Sequence, residues 1–248
     1  DIDAATTLRP QQVIAACDAA GIRTVPTGID HGTVTALTEG GPVEVTTLRR
    51  DVSTDGRRAT IAFADDWRED AARRDFTINA LYVDPDTLAV SDYFDGLADL
   101  AARRVRFIGN PRDRIAEDHL RILRYYRFQA RFGAALDVAA EEACADMAAT
   151  LKGLSRERVA MELLNLLGLA DPHATLARME QRGVLAVVLP EAVGTDTLGK
   201  LVAHERAQGA APDGLRRLAA LLPPAPEIAG AVASRLRLSR AARARLEC

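Results

Sequence analysis

The sequence predicts a mixed α/β (α+β) head followed by an all-α neck and body. Three observations carry this. Short stretches that alternate small or polar residues with β-branched ones crowd the first hundred positions. After residue 110, apolar residues recur at helical spacing almost without a break. Those helical runs are punctuated by glycine, a helix stop signal. The expected divisions are a head over 1–109, a neck over 110–170 and a helical body over 171–248 that reads as incomplete.

In chain order, PQQVIAACDAAG is a helix with Pro10 in its first turn and Gly21 as its stop. GTVTAL, VEVTTL, ATIAFA and LAVSDYF are strands of a half-buried sheet. The charged stretch RRDVSTDGRRATIAFADDWREDAA, over 49–72, reads as a polar insertion between core elements. Such a loop is either functional or simply solvated. RIAEDHLRILRYYRFQARFG is expected as one long helix ended by Gly133, with Leu120, Leu123, Tyr126 and Ala130 on an apolar face. VAAEEACADMAATLKG is a further helix, and LSRERVAMELLNLLG another, with Ser155 as its N-cap. PHATLARMEQRG opens a series of short packed helices, and Pro223-Pro224 marks a loop.

The chain has 248 residues, 48% hydrophobic and 27% charged, the composition of a globular protein. A net charge of −3 gives no global basic signature for nucleic acid. Of 32 basic residues only Lys152 and Lys200 are lysines, leaving 30 arginines, an excess that a GC-rich genome would largely explain. Cys17, Cys144 and Cys248 are odd in number and far apart, which argues against a disulfide framework and for a reducing, cytoplasmic setting. Scattered histidines and cysteines leave no zinc-ligand spacing, and no apolar run is long enough to span a membrane. Neither a Walker-type G-K-[ST] loop nor a His-Asp dipeptide occurs.

Asp1 and Asp3 form a D-x-D whose side chains share one face of a strand. Glu44 alternates with Val43 and Val45 and faces the other way from them. Three carboxylates of this kind suit magnesium, which takes hard oxygen ligands and keeps waters for a substrate phosphate. Glu44 fits equally well as an exposed strand residue. In RRDFTINAL, Asp75 also fits as the cap of a helix begun by TINAL. In EDHLR, Asp118 and Arg121 lie three apart on a helix face, with Tyr125 one turn on, a spacing also common in surface ion pairs.

With DIDAAT upstream, RRDFTINAL in the middle, DYFDGLADL after it and EDHLRILRYYRF beyond, the chain resembles the bacterial tRNA nucleotidyltransferases, the CCA-adding enzymes grouped with bacterial poly(A) polymerases. The resemblance covers residues 1 to about 170. It implies a nucleotidyltransferase head and template-independent addition of CCA to the tRNA 3′ end from CTP and ATP, with pyrophosphate released. The alternatives are a poly(A) polymerase, or a fragment that binds nucleotide or RNA without catalysis. It implies Mg2+ on Asp1, Asp3 and Glu44, with Asp1 and Asp3 catalytic. It assigns ribose recognition to Arg74, Asp75 and Asn79 and base recognition to Glu117, Asp118, Arg121 and Arg124. Asp92 and Gly96 become a hinge, with Gly96 supplying the permissive backbone. In the family a glycine-rich turn precedes the D-x-D, so the chain reads as starting inside the head. Ser155, Glu157 and Arg158 of SRERVAMEL read as structural, and the run SRLRLSRAARAR as a solvated helix face or a contact to tRNA phosphates. Oligomeric state is not legible.

Overall fold

In the computed structural model, residues 3–54 and 59–248 are described. Asp1 therefore lies outside the described residues. The chain forms two compact units: residues 1–75 with 79–94, and residues 76–78 with 95–248. The division into compact units falls after Phe94. Residues 95–109 belong to the second unit because Val105 and Phe107 are buried in the helical core.

The first unit is built on a four-stranded sheet. β1 (Asp3–Thr6) leads into helix α1 (Pro10–Ala19), followed by β2 (Arg23–Gly28), β3 (Thr33–Thr38) and β4 (Gly41–Thr47). Their order across the sheet is β1-β4-β3-β2, with β1 parallel to β4 and the other pairs antiparallel. α1 begins at Pro10 and is followed by Gly21 in the left-handed region (φ +72), as its sequence signals require. Val13 of α1 is buried, as are Val34 and Ala36 of β3. The intervening positions carry hydroxyls that bond to one another across the sheet: Thr27 to Thr35 at 2.7 Å and Thr33 to Thr46 at 3.1 Å. β2 was not anticipated, because Pro26 interrupts its pattern. It is tolerated because β2 is an edge strand with an irregular register between Val25 and Gly28.

The charged stretch over 49–72 is not a plain loop. It holds an antiparallel hairpin, β5 (Arg49–Thr54) with β6 (Ala59–Phe63), and then α2 (Trp67–Ala72). Asp66 caps α2 by accepting the Arg68 N–H at 2.8 Å. TINAL begins no α-helix. Thr77–Asn79 make a single 3-10 turn, and the chain then enters β7 (Leu81–Val83), paired with β8 (Val90–Asp92).

The second unit is helical. α3 (Gly96–Ala101) follows Asp95, and α4 (Pro111–Glu117) and α5 (Arg121–Phe132) replace the single helix expected over 114–133. The break falls at Asp118, whose backbone is extended (φ −150, ψ 105). Its carboxylate accepts the Leu120 N–H at 3.1 Å, so a short acidic side chain takes a bond that would otherwise belong to the helix ladder. α6 (Val138–Asp146) ends early in a 3-10 segment over Ala148–Gly153. α7 (Arg156–Leu167) starts at Ser155, whose hydroxyl accepts the Arg158 N–H at 3.3 Å. α8 (His173–Gln181), α9 (Val184–Val188), α10 (Asp196–Ala207), α11 (Gly214–Ala219), α12 (Pro226–Arg235) and α13 (Arg240–Glu247) complete the chain.

One continuous core serves this unit. Phe76 is fully buried, with its ring 4.8 Å from Phe107 and 5.0 Å from Phe128. Tyr125, expected on the same face as Asp118, instead lies buried in this aromatic cluster, because the helix break rotates the two apart in register. Asp99 is buried and accepts from Thr77 at 2.6 Å and from Arg104 and Arg106 at 2.8 Å each. Burial would raise its pKa, but the Thr77 hydroxyl and the two guanidiniums outweigh it and hold the carboxyl below the usual range.

Arg217, on α11, is the largest fully buried side chain. It donates to Glu205 at 2.8 Å and to the carbonyls of Leu167 at 2.7 Å, Leu169, and Ala170 at 3.4 Å, at the end of α7. Helix-end carbonyls have no partner within their helix, so a buried end needs such a donor. Arg217→Leu keeps much of the volume and orphans these carbonyls. We expect it to lower stability by about 3 kcal/mol, read as a lower urea midpoint.

Candidate active site

The first unit holds two groups of candidate residues. Asp3 and Glu44 are register partners on the parallel strands β1 and β4. Residues paired in this way point to the same face of a sheet. Both are exposed, and Thr35, the β3 partner of Glu44, shares that face. Among the described residues no cluster of three or more His, Cys, Asp or Glu side chains is placed to hold a metal ion. Asp3 and Glu44 supply two hard oxygen donors side by side, which suits a divalent cation completed by further oxygens.

The second group is RRDFTINAL. Asn79 Nδ2 donates to Asp75 Oδ1 at 3.0 Å, so the two polar groups expected to act together do meet. Asp75 is buried and Asn79 half-buried. Arg74 donates from Nη1 to the Asn79 carbonyl at 3.3 Å, and its guanidinium stacks on the Tyr82 ring at 5.1 Å.

Arg74 is held by a residue the sequence reading passed over. Asp70, 1% exposed, accepts from Arg74 Nη2 at 3.2 Å, from Arg73 Nη2 at 2.8 Å and from the Tyr82 hydroxyl at 2.6 Å. It also accepts the backbone N–H of Arg49, the first residue of β5, at 3.0 Å. Burial pushes its pKa up. The Arg73 charge and the hydrogen bonds from Tyr82, the Arg49 amide and Arg73 outweigh this and hold it below the usual range. A signal was available: on α2 and its cap, Asp70 stands three and four residues before Arg73 and Arg74, the spacing of helical ion pairs.

The base-recognition candidates all lie in the second unit, but Asp118 and Arg121 do not share one helix face as expected. The chain turns at 118–121, closed by the Arg121 N–H on the Asp118 carbonyl at 3.0 Å. Arg121 pairs with Glu117, which also holds Arg114 at 2.7 Å, and donates to the Arg114 carbonyl at 2.7 Å. Asp118 pairs instead with Arg158 of α7 at 2.6 Å. Arg124 stands 3.6 Å from Glu162, a buried α7 carboxylate that also holds Arg127 at 2.6 Å. Arg158 and Glu162 are partners that no local pattern reveals, because they lie about 40 residues away in sequence.

Around the expected hinge, Asp92 accepts the Phe94 N–H at 3.2 Å. The left-handed backbone belongs to Asp95 (φ 62) rather than Gly96, which is the buried first residue of α3. The arginines of SRLRLSRAARAR are largely committed within the fold, with Arg235 on Glu191, Arg237 on Glu157, Arg243 on Glu247 and Arg245 on Asp213. All three cysteines are unpaired.

Two family models match this chain. Residues 1–106 match the poly A polymerase head domain, and residues 135–194 match a probable RNA and SrmB-binding site of polymerase A. CCA tRNA nucleotidyltransferase 1, mitochondrial, of Mus musculus is 46% identical over 171 residues, which is 67% of this chain and 39% of that protein. The chain belongs to the family of tRNA nucleotidyltransferases and poly(A) polymerases. Within this nucleotidyltransferase family, the CCA-adding enzyme of Lacticaseibacillus paracasei is 42% identical over 178 residues, 71% of this chain and 44% of that protein. The chain thus spans about two fifths of the length of the curated relatives it matches. The crystal structure of the Bacillus stearothermophilus CCA-adding enzyme in complex with CTP superimposes with a TM-score of 0.70 at 29% identity, covering 100% of this chain and 56% of that one. Nucleotidyltransferases of this class use divalent metal ions, in keeping with the oxygen donors of Asp3 and Glu44. No helix among the described residues is long and apolar enough to cross a membrane.

The Asp70 pKa gives a pH test with a definite sign. Its folded value lies below the ordinary 3.8. Stabilisation from the ionised carboxylate is therefore complete above that value and is lost as pH falls through the lower folded one. The stability gap between the native protein and Asp70→Asn should be level from about pH 5 upward and narrow below about pH 4, measured by urea denaturation at each pH.

Proposed function

We propose that this chain carries the nucleotide-adding centre of a CCA tRNA nucleotidyltransferase. The observation that supports it best is the register of Asp3 with Glu44, two carboxylates side by side on an open sheet face. Asp3 and Glu44, with Asp1, are the residues to hold Mg2+, whose charge lowers the pKa of the attacking hydroxyl and steadies the leaving group. The RNA 3′-oxygen attacks the α-phosphorus of CTP or ATP, the bond from that phosphorus to the bridging oxygen breaks, and pyrophosphate departs. No covalent intermediate with the protein is needed, and the residues act by positioning and charge neutralisation.

Asp75 and Asn79 read the ribose 2′-hydroxyl, which both donates and accepts, with Arg74 beside them. Asp118 and Arg121, with Glu117 and Arg124, read the base. Cytosine and adenine each present an amino donor next to a ring-nitrogen acceptor; uracil and guanine present the reverse. One carboxylate and one guanidinium therefore complement C and A and oppose U and G. In the structure both groups hold other partners, so base recognition requires Asp118 and Arg121 to share or exchange those bonds. The three-part division into head, neck and body, a hinge spanning Asp92 to Gly96, the tRNA 3′ end as partner and a cytoplasmic setting belong to the same proposal.

Titration calorimetry with magnesium and each of CTP, ATP, UTP and GTP tests the reading. Binding of CTP and ATP alone is expected. ATP alone would favour poly(A) addition, the activity for which the matching head model is named. Binding of all four would remove the base-reading role of Asp118 and Arg121. In the full-length protein, Asp3→Asn should lower kcat for CTP addition by about a thousandfold or more while leaving the thermal midpoint nearly unchanged, because Asp3 is exposed. Arg121→Ala should instead narrow the preference for CTP over UTP.

A further inference from the structure

We propose that Asp70 is a positioning residue for recognition of the nucleotide sugar, and that it works by tying Arg74 and the start of the β5–β6 hairpin to a single carboxylate. The inference rests on the sugar-reading role given above to Arg74, Asp75 and Asn79.

Asp70 is too buried to meet a nucleotide, at 1% exposure. What it does is collect donors from three separate segments. Oδ1 takes Arg73 Nε at 2.9 Å and Nη2 at 2.8 Å from the end of α2, and the Arg49 N–H at 3.0 Å from the start of β5. Oδ2 takes Arg74 Nη2 at 3.2 Å and Nε at 3.3 Å, and the Tyr82 hydroxyl at 2.6 Å from β7. The Arg74 guanidinium is fixed on one edge by Asp70 and on its face by the Tyr82 ring. From there Nη1 reaches the Asn79 carbonyl at 3.3 Å, and the Asn79 amide reaches Asp75 at 3.0 Å. A continuous line of polar contacts thus runs from Asp70 through Arg74 to Asn79 and Asp75, within one compact unit. A paired buried carboxylate is costly to desolvate, so this one is poor value as a stabiliser alone. What four donors around it do provide is a single orientation for the guanidinium, the kind of support a binding constellation needs.

The arrangement also gives the hairpin a hold on the site. The bond from Arg49 is a backbone one, at the first residue of β5, a kind of strand position in which proline occurs but brings no N–H. Arg49→Pro compared with Arg49→Ala therefore isolates that single donor.

The test is steady-state addition of CTP and of 2′-deoxy-CTP to an RNA primer by the full-length protein. In Asp70→Asn the preference for CTP over deoxy-CTP should fall about tenfold or more, with KM for CTP rising more than kcat falls. The preference for CTP over UTP should stay the same, since base reading is assigned to other residues. Tyr82→Phe keeps the ring and removes only the hydroxyl, so it should shift the ribose preference in the same direction by less, and it decides the matter if Asp70→Asn does not fold. Arg49→Pro should reproduce part of the shift that Arg49→Ala does not. If Asn79→Ala weakens the ribose preference while folded Asp70→Asn and Tyr82→Phe leave it unchanged, the positioning role is wrong and the sugar-reading role stands. If Asn79→Ala also leaves it unchanged, the sugar-reading role falls and this inference with it.

Discussion

The fold depends on one recurring electrostatic arrangement: a buried carboxylate gripped by two arginines. Asp70 holds Arg73 and Arg74, Asp99 holds Arg104 and Arg106, and Glu141 holds Arg178 and Arg182. Glu162 holds Arg124 and Arg127, and Glu205 holds Arg216 and Arg217. Each of these acids is nearly inaccessible, so each must be paired and hydrogen-bonded or cost the fold several kcal/mol. Two planar forks can saturate a carboxylate's four lone pairs; ammonium groups would do it with less directional control. An arginine count that looks like codon bias in the sequence thus has structural employment in the fold.

The same arrangement links scaffold to chemistry. Three of these carboxylates, Asp99, Glu141 and Glu205, grip arginines that only brace the unit they belong to. Asp70 differs in that one of its arginines, Arg74, continues into Asn79 and Asp75. Glu162 differs in that one of its arginines, Arg124, stands on the helix that follows the turn at 118–121. The candidate arginines Arg74 and Arg124 are therefore held by buried carboxylates. That is how a flexible side chain is brought to a fixed orientation without paying its rotamer entropy at the moment of binding.

The break at Asp118 shows how a local competition reshapes a site. Periodicity runs smoothly through RIAEDHLRILRYYRFQ, and apolar spacing alone favours one helix. Asp118 accepts the amide two residues ahead and gives its second oxygen to Arg158, so two bonds replace those of a continuous ladder. The consequence is a tight turn closed by the backbones of Asp118 and Arg121, whose side chains pair with Arg158 and Glu117 instead, while Tyr125 goes to the core. Helix spacing rules, applied to this segment, predict a shared face for Asp118 and Arg121 that the extended backbone at Asp118 does not provide.

By itself the sequence determined most of the elements. The strands GTVTAL and VEVTTL, the start of α1 at Pro10 and the cap at Ser155 follow from short-range rules, because their causes lie within a few residues. The bond between Asp75 and Asn79 was not legible in this way, because TINAL forms a 3-10 turn and not the helix whose spacing would predict it. Tertiary structure decided that Asp3 stands opposite Glu44, since the pattern of a strand fixes which face a residue takes but not which residue of a distant parallel strand it meets. It also decided that β2 could carry Pro26 at a sheet edge, that the charged stretch folds as a hairpin and a helix, and which arginine meets which acid. A buried charge selects its partner by proximity in the folded chain, as Asp118 does with Arg158, and sequence separation of that size leaves no local trace.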